Sequence, residues 1–254
     1  MPDTIILSQL WTPLRGIPQI VVMDVLAVGW LVFLIVGMSW YVDSGPRASQ
    51  SASGIMRVKR MAWMEEMALR PLRMVDSALL SGLQSGSSFF ASTSLICLGA
   101  LLAMMGQAER LADVADSMPF AHPSGPAAFR VRLVVPVVVI SFAFFKFAWA
   151  QRLFGYCAVM IGATPERRDD NEAEMLAAAQ DAGQLNWLAA RSFTRGLRGL
   201  YFTLASLAFL IGPLALIASS SAVALMIFRR EFRSESRAAM LGTYRKQARY
   251  PPRT

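Results

Sequence analysis

The chain has 254 residues, more than half of them apolar, and a formal net charge of +8. Its positive mean hydropathy is high for a soluble domain, and its basic residues sit beside apolar runs rather than on a separate basic domain, which argues against nucleic-acid binding. Two cysteines, both in apolar segments, and one histidine, His122 in a Pro/Gly loop, supply no disulfide framework, zinc site or bis-histidine haem.

Residues 1–19 form a short lead in which Pro13 and Pro18 mark an irregular entry. Arg15 alone precedes the first apolar run. That run is too long for a signal-peptide core and is followed by no clear small-residue cleavage site, so no cleaved signal is expected. The first predicted span covers residues 20–42, with Asp24 near its start and Trp40 and Tyr41 as an interfacial belt at its end. Residues 43–54 are rich in Ser and Gly and read as a flexible loop.

Residues 55–82 show helical, amphipathic spacing through Met56, Met64, Met67, Ala68, Val75 and Leu79. Pro71 is expected to kink that helix, and Glu66 and Arg70 form a favourable i,i+4 pair. It should lie in the membrane interface or pack on the bundle. The second span, residues 86–106, is rich in small residues. Ser88, Ser92, Gly99, Ala103 and Gly106 fall roughly along one face, the pattern of close helix–helix contact in lipid. Residues 107–130 read as a loop.

The third span, residues 132–154, belongs to the longest apolar stretch, residues 131–161, around which the chain is organised. It carries Pro136 about one turn in, where a missing amide bond is tolerable. Residues 170–196 are helical and polar, capped by Asp169 or Asp170. The fourth span, residues 197–228, exceeds a perpendicular crossing and is expected to bend at Gly212-Pro213, with Ala208, Gly212, Ala215 and Ser219 as a second small-residue face. A dense basic tail fills residues 229–254.

Four such spans put both termini on one side. The basic residues then divide evenly between the two sides, so the positive-inside count does not decide orientation. The usual dominance of the first span favours termini outside and both helical loops in the cytoplasm, against the weight of the basic tail.

Intramembrane charges are the candidate functional residues. Lys146 shares a helical face with Phe142, Trp149, Leu153 and Cys157. It reads as a snorkelling lysine, as one half of an ion pair with Asp24, or as part of a substrate or ion path. Asp24 also fits a helix cap, Arg152 with Trp149 an interface marker, and Asp76 a local partner for Arg73 or for a more distant arginine. No phosphate-binding glycine loop, nucleophile elbow, zinc-protease motif or CxxC pair occurs, so no catalytic residue, metal or cofactor is expected.

Several blocks together carry a family likeness: RPLRMVDSALLSGL with SSFFASTSLICLGALLAMMG, then FAFFKFAWAQRLFGYCAVMIGA, FTRGLRGLYFTLASLAFLIGP and FRREFRS. In their order and spacing the chain resembles a bacterial membrane family labelled a domain of unknown function (family five-nine-nine). On that resemblance Trp63, Asp76, residues 90–93, Lys146, Arg152, Tyr156 and residues 229–232 fall in family motifs, and the expected place is the bacterial inner membrane.

The expected fold is an all-α integral membrane bundle of four transmembrane helices, with amphipathic interfacial helices after spans one and three. The favoured function is a non-enzymatic accessory or assembly subunit packing in the bilayer with itself or a larger complex, its basic loops against anionic lipid headgroups. The alternative is a small oligomeric channel or transporter using Lys146, Asp24 and Arg152. A lipid-modifying enzyme dependent on Asp76 is a third class.

Overall fold

The computed structural model describes residues 19–117, 125–166, 168 and 170–242. His122, Arg15, Pro13, Pro18, Asp169 and the tail beyond residue 242 lie outside them. The described residues are helical apart from short connections. Helix α1 is Gln19–Asp43, α2 Ala52–Leu69, α3 Met74–Gly106, α4 Ala108–Asp116, α5 Gly125–Ala163, α6 Glu172–Ser206, α7 Pro213–Phe232 and α8 Glu235–Met240. Among the described residues four helical segments, from Val22, Met74, Gly125 and Pro213, are long and apolar enough to cross a membrane. The protein is a multi-pass membrane protein.

Helix α5 is the spine. At 39 residues it is about 58 Å long, well beyond a bilayer core of about 30 Å, and its 13 buried residues recur along its whole length. It continues through Pro136, which is buried. Helices α3 and α6 flank it. Phe90 of α3, Phe147 of α5 and Phe193 of α6 meet ring to ring, with centroids 5.4–5.6 Å apart. Between helices in lipid such contacts stabilise through packing rather than escape from water. Helix α1 lies on α7, where the Trp30 indole donates to Ser221 Oγ at 2.9 Å and Tyr41 packs against Phe228 and Phe232.

Residues 107–130, read as a loop, instead hold α4 and the first turn of α5. Three further features depart from expectation. The helix expected over residues 55–82 is two helices. Pro71 does not kink it but ends it: Leu69 closes α2, and α3 starts at Met74 and runs unbroken to Gly106. The proline removes an amide and disfavours helical backbone at Arg70, which is extended (φ −83°, ψ 138°). Trp63 Nε1 and Arg70 Nη1 both donate to Asp76 Oδ1, at 2.7 and 2.8 Å, stapling the two helices across the break. Arg70 thus pairs with Asp76 and not with Glu66. Arg73 donates instead to the carbonyls of Ile161, Thr164 and Pro165, satisfying the exit of α5. The cap position of α6 is Asn171 rather than an aspartate.

The third departure concerns residues 170–228. Helix α6 continues from its polar half straight into the bundle, becomes 3-10 over Leu207–Leu210, and the chain then turns back at Gly212. Ser219 Oγ donates to the Ala205 carbonyl at 2.8 Å, Arg230 to Tyr201 Oη at 2.9 Å, and Glu231 lies 3.6 Å from Arg198. Residues 197–228 are therefore a helical hairpin and not one bent crossing. Pro213 opens α7 in the first turn, where its lost amide has no helical acceptor anyway.

The hairpin puts the two ends of the described chain at opposite ends of the bundle. The start of α1 lies where Asp24 meets Arg132. Phe232 and α8 lie where Asp43 and Gln50 lie, joined by Arg237 Nε donating to the Gln50 carbonyl at 2.7 Å. At this second end α2 packs against α6. Met64, Met67 and Ala182 join Leu80 near the start of α3 and Phe154 and Ile161 near the end of α5 in one cluster. Of the two arrangements expected for α2, it adopts packing on the bundle.

Candidate functional site

The site grows from three arginines. Arg191, Arg195 and Arg198 are spaced i, i+4, i+7 on α6 and share one face. Like charges at that spacing repel unless an acid stands opposite. Asp43, the last residue of α1, is that acid. Its side chain is 2% exposed and accepts from Arg195 Nε at 2.6 Å, Arg198 Nη1 at 3.1 Å and Arg191 Nε at 3.5 Å. One carboxylate thus holds three cations at the mouth of the bundle.

A second acid completes the network. Glu231 near the end of α7 accepts from the Ser53 amide at 3.2 Å and from Ser53 Oγ at 3.0 Å, so its carboxylate lies at the N-terminus of α2. Helix N-termini favour negative charge, and Ser51 caps the same turn by accepting from the Gly54 amide. The other Glu231 neighbour is Arg198, at 3.6 Å.

These groups line a cavity of about 370 Å³ between α2, α6, α7 and α8. Arg60 and Arg230 join Arg191 and Arg198 in its wall, facing only Asp43 and Glu231 as acids. Arg60 donates to Asn186 Oδ1 and Arg230 to Tyr201 Oη, both neutral acceptors. Burial pulls the Arg60 guanidinium below its usual pKa. Asn186 in turn contacts the buried Cys157 thiol, which donates to the Ala182 carbonyl at 3.4 Å. Among the described residues no group of three or more His, Cys, Asp and Glu side chains is arranged to hold a metal.

The sequence-expected charges lie elsewhere. Asp24 meets Arg132, whose Nε and Nη2 each donate to one of its oxygens at 3.3 Å. Arg132 is 1% exposed and its guanidinium also covers the Phe209 ring at 5.4 Å. Asp24 therefore does not pair with Lys146, which lies 14 residues or about 21 Å further along α5 than Arg132. Lys146 borders a lateral groove with Trp40, Val138 and Arg195, its ammonium 5.3 Å from the Phe142 ring centroid. Arg152 donates to Tyr156 Oη at 2.6 Å on an exposed face. Asp76 is wholly buried, in the staple described above, where it serves Arg70 rather than Arg73.

The small-residue faces also trade places. Ser92, Gly99 and Ala103 point outward with Ser88 half-buried, and a side chain added at Gly99 would meet nothing. The contacts expected of α3 belong to α6. A Cβ at Gly196 would stand 2.7 Å from the Phe147 ring, and one at Gly199 would stand 3.1 Å from Ala143. Gly212 is buried at the hairpin turn, and Ser219 acts inside the hairpin. The sequence signal for this close approach is the pair of glycines in TRGLRGL, three residues apart on one face.

Residues 26–236 match the model of a family described as Protein of unknown function, DUF599. The chain belongs to this family. No curated protein and no solved structure matches it. The matched region takes in the whole Asp43 network and the cavity apart from α8's last residues, whereas Asp24 precedes it.

Proposed function

We propose that this protein is a non-enzymatic assembly subunit of a bacterial inner membrane, which packs against another transmembrane helix through the outward face of α3. The observation that carries the reading is that this face is built for contact and makes none among the described residues. A glycine inside a helix costs about 1 kcal/mol relative to alanine. Gly99 and Gly106 lie on this face with Ser92 and Ala103, and a methyl group added at either glycine would have nothing within 4 Å, so no packing among the described residues offsets that cost. Small residues on a lipid-facing stripe let a second backbone approach closely.

The transport reading draws no support from its three charges: Asp24, Lys146 and Arg152 lie along different levels and faces and border no common path among the described residues. The hairpin also bears on orientation. Among the described residues Arg110, Arg130 and Arg132 lie at the Asp24 end, and every other Lys and Arg lies in the half towards Asp43. The positive-inside bias then supports a cytoplasmic Asp43 end, with the basic end of α7 and α8 on that side and the start of α1 outside.

Mass measurement of the protein in nanodiscs at endogenous level, with Gly99→Leu in parallel, tests the reading. The expected result is a stoichiometric complex, or a homo-oligomer, that falls to the monomer in Gly99→Leu at unchanged thermal stability. A wild-type monomer with no co-purifying chain would refute it.

A further inference from the structure

The Asp43 network holds more cation than its acids satisfy, and the surplus borders the cavity. Arg198 is 4% exposed, and its three nitrogens divide unequally. Nη1 donates to Asp43, while Nε and Nη2 are buried without a hydrogen-bond acceptor among the described residues. The Glu231 oxygen at 3.6 Å from Nη2 is an ionic neighbour beyond hydrogen-bonding reach. Nε and Nη2 form the edge of a guanidinium that meets two oxygens of one carboxylate or phosphate in parallel. A buried donor left unmet costs about 1–3 kcal/mol, more when charged.

Glu231 does not turn to fill that edge because Ser53 holds both of its oxygens, at 3.0 Å from Oγ to Oε1 and 3.2 Å from the amide to Oε2. Asp43 is engaged by three arginines. Arg60 on α2 and Arg230 on α7 donate to neutral acceptors. The cavity therefore has an unmet bidentate donor and two further guanidinium groups whose charge no carboxylate among the described residues neutralises.

We infer that this cavity is a binding site for a phosphate-type oxyanion, held by the Nε/Nη2 edge of Arg198 with Arg230 and Arg60 closing around it. Its volume of about 370 Å³ is in the range of small-ligand pockets. It lies at the level where α1 ends and Trp40 and Tyr41 mark the apolar boundary, so the oxyanion is either a phospholipid headgroup reaching in from the bilayer or a free phosphate from solution. The inference stands whether or not α3 takes a partner.

The test uses the full chain purified in a phosphate-free maltoside detergent. Inorganic phosphate, phosphatidylglycerol and an uncharged glycolipid are titrated separately while thermal unfolding is followed, and retained lipid is read by native mass spectrometry. The glycolipid should have no saturable effect. A saturable rise in Tm with phosphate identifies a site open to free oxyanion. A rise with phosphatidylglycerol alone identifies the headgroup. Either is expected to weaken about tenfold or more in Arg230→Gln, and to remain unchanged in Arg130→Gln at the other end of the bundle. Arg198→Gln should abolish it; because that variant also loosens Asp43, Arg230→Gln carries the decision. No saturable response to either anion, or equal responses in wild type and Arg230→Gln, would overturn the inference.

Discussion

The two ends of the bundle solve the same problem differently. At one end Arg132 meets Asp24 with two parallel hydrogen bonds and lies over Phe209. One cation there faces one anion among the described residues. At the other, Asp43 is shared among three arginines and a fourth and fifth line the adjoining cavity. The comparison teaches that charge in a membrane bundle takes two forms: a matched pair that ties helices together, and an unmatched cluster whose excess asks for something from outside.

The largest expected effect comes from removing the acid at the crowded end. Asp43→Asn leaves Arg191, Arg195 and Arg198 facing one another and should destabilise by about 3–5 kcal/mol, read by thermal or denaturant unfolding in detergent. An unchanged midpoint would mean that the cluster is held by something other than Asp43. At the paired end, Arg132→Met should cost about 3 kcal/mol, because it strands a partly buried carboxylate. The double change Asp24→Asn with Arg132→Met should recover most of that loss, since an ion pair replaced on both sides by neutral groups is often nearly neutral in stability. If the double variant is as unstable as the single, the two residues do not act as a pair.

Between the two ends, Gly196→Ala should destabilise by about 1–3 kcal/mol, because the new methyl meets the wholly buried Phe147 ring of α5. The same substitution at Gly99, on the open face of α3, should leave unfolding unchanged or slightly raise its midpoint. The smallest effect is expected for Lys146→Met. Its ammonium has a ring contact at 5.3 Å and no carboxylate partner among the described residues, so the change in stability should stay within about 1 kcal/mol. A larger loss would show that Lys146 shares in the Asp43 network through Arg195, beside it in the same groove.

What is legible in the sequence follows from what lipid imposes. Continuous apolar runs mark α1, the core of α3 and α5, because an uncovered polar backbone must be internally bonded there. Residues 197–228 are apolar over most of their length, and composition alone does not separate a long bent helix from two short ones lying side by side. The reversal rests on a 3-10 turn and one Gly-Pro pair. Reading that one turn as a bend puts the tail on the opposite side and divides the basic residues evenly. Asp43 is hidden in the sequence because a Ser/Gly-rich stretch follows it and reads as loop, although it is the last helical residue of α1. Arg132 stands at the edge of an apolar run, where sequence alone reads it as flanking charge, yet it is buried. The arginine spacing on α6 is visible, but its meaning needs an acid roughly 150 residues away.

That separation has a consequence for how the protein is made. Asp43 leaves the ribosome 148–155 residues before the arginines it will hold. At about 5–20 residues per second this is an interval of roughly 7–31 seconds. Throughout it, α1 must sit in the translocon or the bilayer with its terminal carboxylate in water, and Glu231 arrives later still. The cavity cannot close until α7 and α8 are synthesised, so a chain truncated before residue 231 would present an open arginine cluster, and quality-control proteases would meet the least protected form of the protein late in its synthesis.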